Sequence, residues 1–176
     1  MAKYDTPDIR NFVLVGHGDS GKTTLAEAML FKGKMTNRMG EVTDGTTVTD
    51  FDPEEKSRKI SIEAGVAHLP WKGKELNLID APGYPDFSGE AAGAMSAVET
   101  AVICVNAVTG LMVNTRKMWS NAAKMGMARA IFVTKIDHDN VDFDALLGSI
   151  KETFGDVARV AVMPVGTGPS CKGVAN

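Results

Sequence analysis

Gly16 to Thr23 read GHGDSGKT, directly after the apolar run FVLV and directly before the helix-like TLAEAMLF. The pattern is GxxxxGK[ST] in a strand, loop, helix context. Gly16, Gly18 and Gly21 let the backbone turn tightly and aim several N–H groups at phosphate oxygens, with the positive end of the following helix behind them. His17, Asp19 and Ser20 complete the loop, and Thr24 follows it into the helix. Lys22 would bring its charge to β- and γ-phosphates, and the Thr23 hydroxyl would ligate Mg2+. His17 reads as a packing or hydrogen-bonding group at a strand end, not as a catalyst.

Two further loops carry matching chemistry. In LNLIDAPG, Asp80, Ala81, Pro82 and Gly83 suit a carboxylate near Mg2+ and a free glycine amide near the γ-phosphate. Alone, Asp-x-Pro-Gly is a simple turn; the phosphate loop upstream changes its meaning. In TKID, Thr134, Lys135, Ile136 and Asp137, the Asp137 carboxylate can accept two hydrogen bonds from N1 and N2 of guanine. Adenine lacks that donor pair, so the residue would select guanine. Lys135 would lay its stem over the base, and the Thr134 hydroxyl could support neighbouring loops.

These loops need a scaffold. FVLVG (12–16), AVICV (101–105), AIFV (130–133) and RVAVMPV (159–165) read as buried parallel strands. ISIEAGVAHLPWKGKELNLID reads as an antiparallel edge hairpin turning through Trp71 to Lys74. Helical stripes run through Phe143, Leu146, Leu147, Ile150 and Phe154, and through Met118, Trp119, Ala122 and Met125. The small-residue run GEAAGAMSAV (89–98) reads as an alanine-rich helix on its own sheet. The predicted class is α/β: a P-loop NTPase fold with a mostly parallel, doubly wound sheet, one antiparallel edge hairpin and helices on both faces. Residues 33 to 59 are polar and lack a sustained period, which in a compact domain marks a functional or disordered loop.

With 176 residues and a formal charge of −3, one domain is expected and a free-standing, basic nucleic-acid binder is not. No run approaches a membrane span and MAKYDTPDIR lacks a signal-peptide core, so a cytoplasmic location is expected. Two cysteines, Cys104 in an apolar run and Cys171 near the end, argue against a disulfide scaffold or metal cluster.

In this order, GHGDSGKT, DAPGYPDF and TKID resemble the GTPase domain of translational GTPases, most closely elongation factor G-like proteins of a divergent subgroup with DAPGY and TKxD motifs. The resemblance runs from about Phe12 to the end and includes GTTVTDF (45–51), RKISI (58–62) and MPVGTG (163–168). It implies GTP and GDP with Mg2+ as ligands, and GTP hydrolysis, slow without the ribosome, that gates a conformational step there. The implied partner is the ribosome through its large-subunit RNA, with no DNA or membrane. Residues 33–60 would be the first switch and 80–98 the second. Lys22, Gly83 and Tyr84 would act in catalysis, Thr23, Ser61 and Asp80 would hold the metal, and Asp19 matches an acidic position associated with a monovalent cation.

Departures from the family pattern are concentrated at the reacting end. Tyr84 replaces the His that positions the attacking water; a phenol is a poor base at neutral pH but can hydrogen-bond to water. Ser61 stands where a Thr is usual and keeps the hydroxyl, with Thr46, Thr47 and Thr49 as rivals for the same role. Lys59 replaces a Gly, so a positive φ there would be strained. Gly18 replaces an aliphatic residue that would face Ile60. A regulatory guanine-nucleotide switch with negligible hydrolysis is the alternative these changes raise. Residues 1–176 would be the amino-terminal part of a GTPase domain, ending before its last base-binding loop, and Gly166 and Thr167 are not expected to replace that loop. Core surface left open would weaken nucleotide affinity or favour self-association, and the fragment is expected to be monomeric or weakly self-associating.

Overall fold

The computed structural model describes residues 4–175. Five stretches form one sheet: β1 (Ile9–Gly16), β2 (Gly65–Trp71), β3 (Lys74–Asp80), β4 (Thr100–Asn106) and β5 (Ala128–Thr134), in the spatial order β2-β3-β1-β4-β5. β1 runs parallel to β3 and β4, and β4 parallel to β5; only β2 is antiparallel, against β3. The carboxyl ends of the parallel strands therefore share one edge, where Gly16, Asp80, Asn106 and Thr134 lie. In open α/β sheets that edge is where ligands bind.

Alternation decides which helix each strand residue meets. Leu14 packs with Leu69 and Leu78 against Ala26 and Leu30 of α1 (Lys22–Lys32). Val13, Val15 and Ile103 pack against Ala91, Ala94 and Met95 of α3 (Ser88–Ser96) and Met118 and Ala122 of α4 (Val113–Lys124). Leu146 and Ile150 of α5 (Phe143–Phe154) cover Val105. α4 and α5 meet through Trp119 and Phe154, whose ring centroids are 4.4 Å apart, with the Arg129 guanidinium 4.2 Å from the Trp119 centroid. The buried side of α3 is its alanine and methionine face, while Gly89 and Gly93 look into open space.

The hairpin turn is Lys72-Gly73, with φ of 48° and 76°. Positive φ at both central residues matches the right-handed twist of the flanking strands and gives a tight two-residue connection.

Two expectations are corrected. RVAVMPV does not form a buried parallel strand: only β6 (Met163–Val165) is extended in a ladder, antiparallel to β7 (Gly173–Ala175) in a separate two-stranded sheet. Val160, Val162, Met163 and Val165 are each at least 40% exposed, so this run is not a strand of the buried core. Pro164 also removes one ladder donor. The aperiodic segment 33–59 is not a plain loop, because it contains α2 (Pro53–Arg58). Asp52 caps this helix by accepting from Glu54 N–H, Pro53 occupies its first turn, and Glu55 reaches back to the Asp52 N–H at 3.0 Å.

Ala128, Ala130 and Phe132 lie on one face of β5 and are exposed, Phe132 by 45%. Among the described residues no helix is long and apolar enough to cross a membrane.

Candidate functional site

β1 ends at Gly16, where a Cβ would overlap the Cys104 carbonyl and Ser20 Oγ, so only glycine lets the chain turn away from β4. The loop continues with Asp19 at φ 58° and Gly21 at φ 80° into α1. Lys22 is buried and its Nζ donates to the His17 carbonyl at 3.0 Å, which folds the side chain back over the loop. Burial pulls the Lys22 pKa below its ordinary value, against the opposing charge of Asp80. Ser20 Oγ and His17 Nδ1 are buried without partners, and Thr24 is exposed.

Asp80 closes β3 at 1% exposure. Burial pushes its carboxyl up to about 6, with Lys22 and a hydrogen bond from Thr49 opposing. Thr49 Oγ1 donates to Asp80 Oδ2 at 3.0 Å, while Asp80 Oδ1 is buried without a partner. The Ser61 hydroxyl lies 3.2 Å from that of Thr23 and donates to Asp50 Oδ1 at 2.7 Å. Of the rival threonines, Thr49 touches Asp80 and Thr47 donates to Asp50 Oδ2 at 3.1 Å. Thr46 instead accepts from the Glu41 N–H at 3.0 Å, outside this group. Hydroxyls and carboxylates with an unused buried oxygen form a hard, oxygen-only donor set, which fits Mg2+.

Ala81, Pro82 and Gly83 are buried beyond Asp80. A Cβ at Gly83 would overlap Lys22 Nζ and the His17 carbonyl, so this backbone approaches the phosphate loop only as glycine. Asn114, buried on α4, donates to the Gly83 carbonyl at 2.7 Å and holds it there. Tyr84 follows, half-buried, with its ring against Gly18. Burial raises its phenol pKa, helped by the negative charge of Asp19.

TKID leaves β5 with Lys135 at φ 55° and Asp137 exposed. Thr134 Oγ1 donates to the Ser20 carbonyl at 2.8 Å, tying this loop to the phosphate loop. Asn106 Nδ2 donates to the Asp19 carbonyl at 3.5 Å from the intervening strand. On the outer side, the Gly168 amide donates to the Ile136 carbonyl at 2.8 Å, so the turn after Gly166 and Thr167 rests on TKID. A cleft of about 380 Å3 joins these parts, lined among others by Gly18, Lys22, Thr23, Ser61, Gly83, Tyr84 and Lys135. A larger, open hollow of about 620 Å3 between 140–144 and 163–167 contains none of these groups.

Nothing in the sequence marks Glu27, which resembles any helix glutamate. It is fully buried, and its carboxylate accepts from Gly40 N–H at 2.9 Å and Val48 N–H at 2.6 Å. It thereby fastens the 33–60 segment to α1. Glu55 is likewise buried and accepts from the Ile62 and Glu63 amides at 2.9 and 3.0 Å. Nothing in the sequence marks Asp50, which gathers the hydroxyls of Thr47 and Ser61 within its own segment, or Asn114, which acts on Gly83 31 residues away. The capping-box spacing of Asp52 and Glu55 was a readable signal for α2. Lys59 takes the strained conformation anticipated for a glycine substitution, with φ 59° at the end of α2.

Glu27→Gln should loosen this fastening. One acceptor becomes an amide donor facing a backbone donor, at a cost of about 1–3 kcal/mol. Hydrogen exchange of the Gly40 and Val48 amides should quicken on the order of tenfold or more, while β1 amides stay protected; unchanged exchange at both amides would contradict the role.

A glycine-rich strand-to-helix turn with a buried lysine, a strand-end aspartate and a third loop tied to both defines a P-loop nucleotide-binding protein. The chain belongs to the family of the Elongation factor Tu GTP binding domain, whose model matches residues 7–174. It is 40% identical over 166 residues to Elongation factor G 2 of Streptomyces coelicolor, covering 94% of this chain and 24% of that protein. It is 39% identical over 160 residues to an Elongation factor G-like protein of Mycobacterium tuberculosis, covering 91% and 22%. It also superposes on a solved protein of Thermus thermophilus with TM-score 0.87 and 40% identity, covering 94% of this chain and 25% of that one. The chain spans about a quarter of the length of these relatives.

Proposed function

We propose that this domain binds GTP and GDP with Mg2+ and hydrolyses GTP, slowly alone and faster when the protein of which it is part sits on the ribosome in the cytoplasm. The observation that carries this reading is the convergence of Lys22 and Thr23 of the phosphate loop, Ser61 and Gly83 from three separate chain segments on one cleft, with the Asp80 carboxyl buried behind it. The names of the relatives, elongation factors G and a mitochondrial ribosome-releasing factor of Drosophila willistoni, support a ribosomal setting; contact with large-subunit RNA there is part of the proposal.

The roles follow from the chemistry. Loop amides from Gly16 to Thr24 and the Lys22 ammonium hold the β- and γ-phosphates, and the Gly83 amide meets the γ-phosphate. Thr23, Ser61 and Asp80 would hold Mg2+, which supplies neutralisation of phosphate charge; Asp19 is the group on which a monovalent cation would rely. Ala81 and Pro82 set the approach of Gly83, and Thr134 to Asp137 take guanine. Tyr84 stays protonated at neutral pH and orients water by hydrogen bonding, without acting as a base. With the γ-phosphate present, residues 33–60 and 80–98 are held; its loss releases them.

Multiple-turnover phosphate release, with and without ribosomes, tests this reading. Ribosome-stimulated release of phosphate from GTP is expected; none under either condition, from protein that binds GTP, would leave only a binding switch. Tyr84→Phe removes the phenol hydroxyl and keeps the ring, so stimulated turnover should fall about tenfold, the worth of one hydrogen bond. Unchanged turnover would remove the hydroxyl from the mechanism.

A further inference from the structure

Two departures on separate loops, Gly18 and Tyr84, meet in space. A Cβ at Gly18 would stand 2.9 Å from Tyr84 Cζ and 3.1 and 3.2 Å from its Cε atoms. Gly18 is not among the glycines with positive φ, so what a side chain here would meet is the Tyr84 ring, with no backbone conformation demanding glycine. The Tyr84 end of the contact is held by its own loop: Pro82 and Gly83 are buried, and Asn114 pins the Gly83 carbonyl. Neither backbone can retreat easily, and an added methyl group would have to move the ring.

We propose that Gly18 and Tyr84 form a coupled pair, in which the missing side chain at 18 is the seat of the Tyr84 ring and makes that ring a wall of the cleft beside the phosphate loop. Gly18 is thus a positioning residue for Tyr84. The seat follows from the contact alone; its consequence for hydrolysis rests on the function proposed above. Lys22, Ser61 and Gly83 line the same cleft, so a displaced ring changes the surroundings of the reacting phosphate.

The chain has two tyrosines, Tyr4 and Tyr84, which makes 19F NMR of 3-fluorotyrosine-labelled protein direct. Tyr84→Phe assigns the resonances. Gly18→Ala is expected to shift the Tyr84 signal and raise its broadening by a neutral gadolinium chelate, with the Tyr4 signal unmoved. Thermal melts supply an independent cycle. Gly18→Ala should lower Tm by about 2–4 °C in the Tyr84 and Tyr84→Phe backgrounds, both of which keep the ring, and by much less in Tyr84→Ala. An unmoved Tyr84 signal together with equal Tm losses in all three backgrounds would overturn the pair. Coupling by both readouts, with Tyr84→Phe hydrolysing GTP normally, would support the seat and reject only the water-orienting hydroxyl.

Discussion

Asp137→Asn should exchange the base preference of the domain from guanine to xanthine. Asp137 is exposed on the loop leaving β5, free to receive a base. That loop is fixed from behind, because the Thr134 hydroxyl bonds to the Ser20 and Val105 carbonyls at 2.8 and 3.2 Å. A carboxylate offers two acceptors to the N1 and N2 donors of guanine. Asparagine offers one acceptor and one donor, leaving two donors face to face with guanine but matching the N1 donor and C2 carbonyl of xanthine. Losing one charge-assisted bond and stranding another group costs about 3–4 kcal/mol, roughly two to three orders of magnitude in affinity. Displacement of fluorescent GDP by GTP and XTP measures both halves. A variant still preferring GTP would place guanine recognition elsewhere.

Lys22→Met should cost a comparable factor in affinity for either guanine nucleotide, and little in fold stability. The ammonium is desolvated and has one carbonyl partner, His17, so the unliganded protein holds its charge at a cost. Methionine keeps an apolar stem of similar length in the buried space. What disappears is a charge beside the β- and γ-phosphates, worth about 3–4 kcal/mol when two charge-assisted hydrogen bonds go. Tm of the unliganded variant should stay within a few degrees of the parent, while the stabilisation added by GDP should largely vanish. A variant stabilised by GDP as much as the parent would remove Lys22 from phosphate binding.

The parts of this domain that were legible are those whose reasons are local. A β-branched run, glycines at fixed offsets and a following helix specify the phosphate loop, because each residue meets its own conformational demand. The hairpin was readable from alternation and Lys72-Gly73. RVAVMPV misled because a β-branched apolar run reports a tendency to extend, whereas burial depends on partners far along the chain. Segment 33–60 lacked periodicity because its order comes from outside itself, from Glu27 on α1 and Asp80 on β3. Within it, only α2 had a local signature, the Asp52 and Glu55 cap. Gly18 and Tyr84 were each conspicuous by type, yet their contact exists only once β3 is set beside β1.

That same pairing brings Asp80 and Gly83 to Lys22 and Thr23, and on it the central claim depends: this cleft takes a guanine nucleotide with Mg2+. Equilibrium binding of fluorescent GDP in the presence of Mg2+, competed separately by GTP, GDP and ATP, tests it most directly. GTP and GDP should displace the probe at similar concentrations, and ATP should require at least about a hundredfold more, the discrimination expected when an adenine leaves the Asp137 acceptors unpaired. Equal displacement by ATP, or no binding by the folded chain, would contradict the account.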